Sequence, residues 1–502
     1  MPHTATRIIC PIIASDVAAM RRDMEAALAA GADCVECRLD FLHATPTAGE
    51  LELLLAGLAG RTIVTFRPKR EGGRFEGDES ARLAVLHAAA KLAPLAIDIE
   101  MDVPPGKWPS GEIILSHHDF AAVPADLDEI MRRLDDSPAA VNKVAFAAAN
   151  ADDSLRAFDA IRSCRKPTIA LAMGQAGLPS RILAGKFGAF GTFAALTADA
   201  ASAPGQPTIE QLKALYRWGS ITPDTQLFGV IGCPVGHSMS PAIHNAAFAA
   251  RGIDAAYVPL LIQPGAQNFG RFMDAVAGRP WLNWRGLSVT IPHKENALAY
   301  VGPDNCDQLA RRIGAINTIT MEDGPIFLGD NTDYAAAIDA LCQAMGIARD
   351  GLAGRCVAVL GAGGAARSIV AALAHYGAAV TVCNRTVARA EELAREFGCS
   401  PAGLEAAAVA GAEIIINCTS VGMHPHVGDC PLSDLPAETA VVFDTIYNPL
   451  DTALLKMARK QGCLTVSGLE MFVNQAVAQF ERWTRQPAPR DVMRQVVLSR
   501  LA

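Results

Sequence analysis

The sequence predicts an α/β chain in two parts: an N-terminal (β/α)8 TIM barrel, then a two-domain α/β region that ends in a Rossmann-type nucleotide fold. Three observations carry this. Eight short apolar runs alternate with helix-patterned stretches over residues 7–215, which suits a small eight-unit barrel. The run Val357–Leu360 feeds Gly361-Ala362-Gly363-Gly364-Ala365-Ala366, a strand, a glycine turn and a helix start. The length, 502 residues, asks for two to four domains at roughly 100–250 residues each.

The barrel strands are expected at Arg7–Ile13, Asp33–Asp40, Thr62–Phe66, Leu95–Glu100, Glu112–His117, Val141–Phe146, Thr168–Ala172 and about Ala189–Leu196. The first helix is expected over Val17–Ala30, with Ser15 or Asp16 as its cap and Gly31 as its stop. Ile209–Gly219 looks helical and leads out of the barrel. The expected domains are residues 1–218, the barrel; 225–335, a substrate-binding α/β domain; 336–470, the Rossmann-type domain; and 471–502, C-terminal helices returning to the substrate domain.

Composition excludes several function classes. The net charge of -8 argues against a nucleic-acid footprint. No apolar run reaches the about 18 residues of a membrane span, and a strand pattern begins almost at the N-terminus, so the expected location is the cytoplasm. The thirteen cysteines are mostly scattered. The one CxxC, Cys34 to Cys37, falls in a predicted strand, where residues three apart face opposite ways. No metal site is expected.

Charged residues inside or just beyond barrel strands carry the chemical signal, because barrel active sites lie at the C-terminal strand ends. These are Glu36, Arg38 and Asp40; Arg67 and Glu71; Asp98 and Glu100; His117 and His118; Lys143; and Arg181. Lys143, flanked by Val141, Val144 and Phe146, is expected in an apolar setting that lowers its pKa and makes a nucleophilic amine. Beside such a lysine, His118 becomes the natural general base.

The pieces Glu36-Cys37-Arg38-Leu39-Asp40, Phe66-Arg67-Pro68 with Glu71-Gly72-Gly73, Asp98-Ile99-Glu100, Ser116-His117-His118-Asp119, Lys143, Met173-Gly174, Ser180-Arg181 and Ser202-Ala203-Pro204-Gly205-Gln206 resemble the type I 3-dehydroquinate dehydratase family over about residues 7–215. The resemblance implies a Schiff base between Lys143 and the substrate ketone. It implies His118 as general acid and base, supported by Glu71, and Arg181 as a carboxylate clamp. Glu36, Arg38, Arg67, Ser202 and Gln206 match positions that contact substrate hydroxyls or order the site. His117 is the structural member of the histidine pair.

In the second part, the glycine turn alone is as consistent with an ordinary strand–helix junction as with a pyrophosphate site. After the next strand, NAD binding would place a carboxylate. Here stand Asn384-Arg385-Thr386 and then Arg389, cations suited to a 2′-phosphate, hence NADP (NADPH). Lys294 lies just past the strand-like Leu287–Ile291, and Asp333 follows in Asn331-Thr332-Asp333; such a pair can supply a proton beside a ketone oxygen.

Ser238-Met239-Ser240-Pro241, Thr290–Lys294, Asn317, Asn331-Thr332-Asp333, Gly361–Ala365, Asn384–Arg389, Asn417–Met423, Asp444 with Tyr447-Asn448-Pro449, and Gly468-Leu469-Glu470-Met471 with Gln475 resemble the shikimate dehydrogenase family over about residues 225–485. Met239 stands where the family often has a basic residue. The resemblance implies Lys294 and Asp333 as the catalytic pair. It implies Ser238 and Ser240 on the substrate carboxylate, and Thr290, Asn317, Tyr447 and Gln475 on ring hydroxyls. Gly361, Ala362, Gly363, Gly364, Ala365, Asn384, Arg385, Thr386, Arg389, Ile446, Gly468 and Met471 would contact NADP.

Together the resemblances imply a bifunctional shikimate-pathway enzyme that turns 3-dehydroquinate into 3-dehydroshikimate and then into shikimate. Two rivals remain open at this point: a quinate-preferring dehydrogenase fused to a catabolic dehydratase, and a non-catalytic quinate-sensing regulator. The expected partners are small-molecule substrates, with no nucleic acid and no membrane; a monomer and a homodimer are both compatible with the sequence.

Overall fold

The computed structural model describes residues 6–322, 326–404 and 409–501. It divides into two compact units. One runs to Pro241 and includes Asp254–Trp284; the other comprises Ala242–Ile253 and the chain from Arg285 onward.

The first unit contains the barrel. Its strands are β1 (Arg7–Ile12), β2 (Cys34–Arg38), β3 (Thr62–Thr65), β4 (Ala96–Glu100), β5 (Ile113–Asp119), β6 (Val141–Ala147), β7 (Thr168–Met173) and β8 (Gly191–Phe193). They pair in parallel in the order β7-β6-β5-β4-β3-β2-β1-β8. At the remaining seam, the Phe190 N–H donates to the Thr168 carbonyl at 2.9 Å. The first helix, Val17–Ala29, is capped by Asp16, whose carboxylate accepts from the Ala19 N–H, and Gly31 ends it at φ +95°. The segment after the barrel departs from the regular α-helix expected: its core, Gln211–Leu215, is a wider π-helix turn, and a 3-10 turn follows at Trp218–Ser220.

Two-residue alternation explains the barrel interior. Ile9, Cys34, Ile63, Ala96, Ile114, Val141 and Ile169 form part of one apolar cluster. Two residues further along the strands come Glu36, Thr65, Asp98, Ser116 and Lys143, all buried. The same inward stripe therefore changes from apolar at the N-terminal strand ends to charged at the C-terminal ends. Cys34 belongs to the interior cluster, whereas the Cys37 sulfur meets Met20 of the first helix. The two sulfurs of the CxxC thus point to opposite faces, and burial pushes both thiols up to about 12.

Beyond the barrel, β9 (Gln226–Gly232) and β10 (Ala255–Leu261) pair in parallel. In the second unit, β11 (Trp284–Val289), β12 (Thr318–Met321) and β13 (Phe327–Asp330) pair antiparallel in sequence. Then β14 (Cys356–Leu360), β15 (Ala379–Cys383), β16 (Ser400–Ala402), β17 (Ile414–Asn417), β18 (Val441–Asp444) and β19 (Leu464–Ser467) form a parallel sheet in the order β16-β15-β14-β17-β18-β19. That is the doubly wound order whose switch point lies between β14 and β17. The helix Gly468–Thr484 packs along Thr332–Met345, with Asn474 donating to the Ala336 carbonyl at 3.2 Å. It also reaches β12, where Trp483 donates to the Ile319 carbonyl at 3.1 Å. A last helix follows at Arg490–Leu501.

Candidate active sites

At the C-terminal end of the barrel, Glu36, Arg38, Arg67, Glu71, His118, Lys143, Arg181, Ser202 and Gln206 line one void open to solvent, where polar and charged groups converge as a small-ligand site requires. Every barrel residue singled out for binding or catalysis is therefore in one place. Lys143 is 5% exposed. Its ammonium lies 2.6 Å from Asp98 Oδ2 and 3.1 Å from Glu36 Oε1, and 4.6 Å from the centre of the Phe193 ring.

This corrects the expected apolar setting. Val144 and Phe146, neighbours in sequence, belong to the outward face of β6; the groups that meet the amine come from β2 and β4. Arg67 completes the network, pairing with Asp98 at 2.7 Å and Glu100 at 2.8 Å and donating to Ser116 Oγ at 2.7 Å. Arg82, fully buried on the helix Glu79–Ala90, holds the other Glu100 oxygen at 2.7 Å. Burial pushes the Asp98 carboxyl up, but Arg67 and Lys143 outweigh it and hold the group below the usual carboxylate range. Glu100 lies above its ordinary value, because burial exceeds the pull of Arg67 and Arg82.

His118 and Glu71 form a second motif on the wall of the void. Glu71 Oε2 lies 3.0 Å from His118 Nδ1 and accepts the His118 backbone N–H at 2.9 Å. Burial raises the Glu71 pKa to about 7, against the opposing pull of Arg67. Burial, reinforced by Arg67 and Lys143, holds the His118 imidazole well below 6.5, so it is neutral near pH 7. His117 is 3.9 Å from the other Glu71 oxygen and is more exposed.

Arg181 is 2% exposed, and its Nε has no hydrogen-bond partner among the described residues. Burial alone lowers its pKa to about 10, which leaves a guanidinium that still carries its charge and has no counter-ion among the described residues. Such a group in a void calls for an anionic ligand. Ser202 donates through both its N–H and its hydroxyl to Gln206 Oε1, at 3.0 and 3.2 Å, and Gln206 Nε2 has no partner among the described residues.

In the second unit, Lys294 starts the helix Lys294–Val301 and Asp333 lies in the first turn of Thr332–Met345. Their charged groups meet at 2.5 Å. Asn331 caps the latter helix by accepting the Asp333 N–H at 3.1 Å. Asn317 is fixed beside them: its Oδ1 accepts the Thr332 N–H at 2.8 Å, its Nδ2 donates to Thr332 Oγ1 at 3.0 Å, and the preceding Ile316 N–H donates to the Lys294 carbonyl at 3.1 Å. Thr290 ends the run after β11, its carbonyl accepting the His293 N–H at 2.9 Å. Tyr447 stacks on Phe472 at 4.7 Å, and Gln475 donates to the Phe472 carbonyl at 3.1 Å. In the first unit, Ser238 Oγ accepts the Ser240 N–H at 3.2 Å.

The glycine turn follows β14. Gly361 adopts φ +111°, and a Cβ there would press on the Cys418 carbonyl. Gly363 and Gly364 face open space, and together with Ala365 they are exposed, whereas Ala362 is half-buried. After β15, Asn384 donates to the Thr386 carbonyl at 2.9 Å. Arg385 and Arg389 are exposed and form no ion pair among the described residues. Exposed N–H-bearing glycines and two unengaged cations fit a dinucleotide with an extra phosphate. Ile446 is buried and Met471 packs on the Rossmann core. Gly468 has a packing reason as well, since a Cβ would overlap the Thr445 carbonyl. Among the described residues no cluster of three or more His, Cys, Asp or Glu is placed to hold a metal, and no helix is long and apolar enough to cross a membrane.

Sequence reasoning missed Phe193 beneath Lys143 and Arg82 behind Glu100. Nothing local marks either: Arg82 reads as a solvated helix charge, and Phe193 as one apolar residue in a strand.

Family comparisons agree with this division of labour. The type I 3-dehydroquinase model matches residues 8–223. Models of the shikimate dehydrogenase substrate binding domain, shikimate / quinate 5-dehydrogenase, and the shikimate 5'-dehydrogenase C-terminal domain match residues 230–319, 344–446 and 468–498. The chain thus combines a dehydroquinase barrel with the domains of a shikimate dehydrogenase. It is 38% identical over 519 residues to the chloroplastic bifunctional 3-dehydroquinate dehydratase/shikimate dehydrogenase of Arabidopsis thaliana, covering 98% of this chain and 84% of that protein. The chain belongs to the family of bifunctional 3-dehydroquinate dehydratase/shikimate dehydrogenases. Its second part is 41% identical over 291 residues to shikimate dehydrogenase (NADP(+)) of Symbiobacterium thermophilum, covering 55% of this chain and 95% of the relative. A crystal structure of a shikimate dehydrogenase in complex with NADP+ matches at 36% identity with a TM-score of 0.51, covering 56% of this chain and 98% of that one.

Proposed function

We propose that the barrel dehydrates 3-dehydroquinate and that the second site reduces the product, 3-dehydroshikimate, to shikimate with NADPH. The observation that carries the first half is the single void shared by the Lys143 amine, the His118–Glu71 pair and the uncompensated Arg181. Arg181 holds the substrate carboxylate. The Lys143 ammonium, held by Glu36 and Asp98, gives up a proton to water, and the freed amine adds to the C3 ketone with loss of water. The resulting iminium withdraws electrons from C2. With Glu71 accepting the Nδ1–H, His118 Nε2 is the basic nitrogen. It removes the C2 proton and returns one to the departing C1 hydroxyl, which leaves as water. Hydrolysis of the iminium frees Lys143. Glu36, Arg38, Arg67, Ser202 and Gln206 orient substrate hydroxyls and the amine.

In the second site Lys294 and Asp333 bind the ketone oxygen and supply its proton. Ser238 and Ser240 hold the carboxylate, and Thr290, Asn317, Tyr447 and Gln475 hold ring hydroxyls. Gly361–Ala365, Ile446, Gly468 and Met471 line the dinucleotide, with Asn384, Arg385, Thr386 and Arg389 at the 2′-phosphate. When bound, NADPH supplies the hydride. The functional segments are residues 1–218, 225–335, 336–470 and 471–502, and we place the protein in the cytoplasm. The retained Lys143, His118, Lys294 and Asp333 speak against the sensing alternative, while Ser238, Ser240, Thr290 and Arg385 lean toward shikimate and NADPH over the quinate-preferring one.

The test is NADPH oxidation by pure protein given 3-dehydroquinate, for wild type and Lys143→Ala in parallel. Wild type is expected to oxidise NADPH. The variant is expected not to, yet to remain active on added 3-dehydroshikimate. Oxidation by the variant at the wild-type rate means that the second site reduces 3-dehydroquinate itself, and the quinate reading replaces this one.

A further inference from the structure

Among the described residues, the Arg181 guanidinium, unlike Lys143 or Arg67, has no partner that fixes its head. Its place in the void depends on the backbone of the short helix Leu178–Ile182. That helix is tied inward by Ser180, which accepts the Ala172 N–H at 3.0 Å and donates to the Gly177 carbonyl at 2.7 Å, and by Thr192, which donates to the Arg181 carbonyl at 2.9 Å. Behind it lie the helix Ala151–Ser163 and the turn Ala184–Phe187. Ser154 donates to the Ala176 carbonyl at 3.1 Å, and Phe158 meets Phe187 at 4.3 Å.

These two backing elements are gripped by chain that lies beyond the barrel but within the same unit. Arg279 holds Asp159 as a fork, at 3.0 and 2.7 Å. Arg271 pairs with Asp152 at 2.6 Å, and the Gln263 N–H donates to buried Asn150 at 2.7 Å. Trp281 stands edge-on to Phe187 at 5.4 Å, with Arg162 over its ring at 4.3 Å. The buried Lys186 amine donates to the carbonyls of Pro223 and Thr225, at 2.6 and 2.8 Å.

We infer that the first segment of the dehydrogenase positions Arg181 of the dehydratase, with Arg279 and Trp281 as positioning residues. The inference rests on Arg181 being the carboxylate clamp proposed above. Lys143, Glu71 and His118 are fixed by contacts inside the barrel, so loosening the grip weakens substrate binding and spares the chemical step.

The experiment uses the full chain and follows 3-dehydroshikimate formation without NADPH. Arg279→Ala combined with Trp281→Ala is expected to raise KM for 3-dehydroquinate about fivefold or more, as misplacement of a binding group does, while kcat stays within about twofold. Arg279→Lys, with Trp281 intact, is expected to recover part of the affinity. Arg132→Ala, which removes an exposed pair with Glu129, is expected to change neither parameter. Arg181→Ala raises KM by itself, and adding the double change to it has no further effect. If Arg181→Ala leaves KM unchanged, the clamp reading fails and this inference with it. If Arg181→Ala raises KM but the double variant keeps the wild-type KM, whatever its melting temperature, only this inference is overturned.

Discussion

In the barrel the reacting amine is 5% exposed and lies against two carboxylates that Arg67 and Thr65 hold from behind. In the second unit the Lys294 side chain keeps 30% of its surface exposed and pairs with Asp333 alone among the described residues. The amine and its two carboxylates sit on alternate strands of one sheet, β6, β4 and β2, whose spacing is set by backbone hydrogen bonds. Lys294 and Asp333 each sit in the first turn of a helix. The first arrangement is preorganised before substrate arrives. The second consists of fewer, wetter groups, whose interactions strengthen when ligands displace water.

This contrast can be broken at its most critical point. Lys143→Ala removes the only lysine amine that lines the void among the described residues and is expected to lower dehydratase kcat by about 10^4-fold, measured as 3-dehydroshikimate formation. NADPH oxidation with 3-dehydroshikimate is expected to stay at the wild-type rate. The reciprocal change, Lys294→Ala, is expected to lower dehydrogenase kcat by about 10^3-fold, within the span of general acid catalysis, and to leave the dehydratase untouched. Loss of both activities from either change would mean that the sites are not independent machines.

The Glu71–His118 pair sharpens the comparison through pH. The Glu71 pKa, raised by burial, is about 7, and His118 titrates well below 6.5. As pH falls through about 7, Glu71 takes up a proton and ceases to be an anionic acceptor for Nδ1–H. Dehydratase kcat/KM is therefore expected to rise with pH through that value. Glu71→Gln is expected to remove this step and lower kcat by about 10^2-fold. The stability effect has the opposite sign. The folded state binds the Glu71 proton more tightly than the unfolded state does, so this contribution is complete below about 4.5 and is lost as pH rises through about 7. Thermal melts across that range should show a shallower decline for Glu71→Gln.

The grouping of the barrel residues was legible because they recur in short ordered strings at strand ends. The eight strand positions and the charged strand ends followed from alternating patterns, and all nine barrel site residues share one void. What failed was the surround of Lys143. Sequence neighbours on a strand face away from each other, so Val144 and Phe146 say nothing about what the amine meets, and Asp98 and Glu36 arrive by strand pairing across long separations. Arg82 stayed hidden for a related reason, since a helix arginine becomes an interior counter-ion only once the helix covers a strand end. The grip of Arg279 on Asp159 likewise joins residues 120 positions apart.

The smallest expected effect tests the cofactor end of the second unit. Arg385 is exposed, forms no ion pair among the described residues, and follows a strand end that carries Asn384 in place of an acid. A guanidinium in that state loses little by being removed from the free protein, so its loss registers only against a ligand phosphate. One charge-assisted contact is worth about 1.5 kcal/mol, which corresponds to about a tenfold change. Arg385→Ala is therefore expected to raise KM for NADPH about tenfold and to leave KM for NADH unchanged, because NADH lacks the 2′-phosphate. Steady-state assays with 3-dehydroshikimate and each cofactor decide it. An equal rise for both cofactors would place Arg385 on a part they share, and Arg389 would then be the residue to test at the 2′-phosphate.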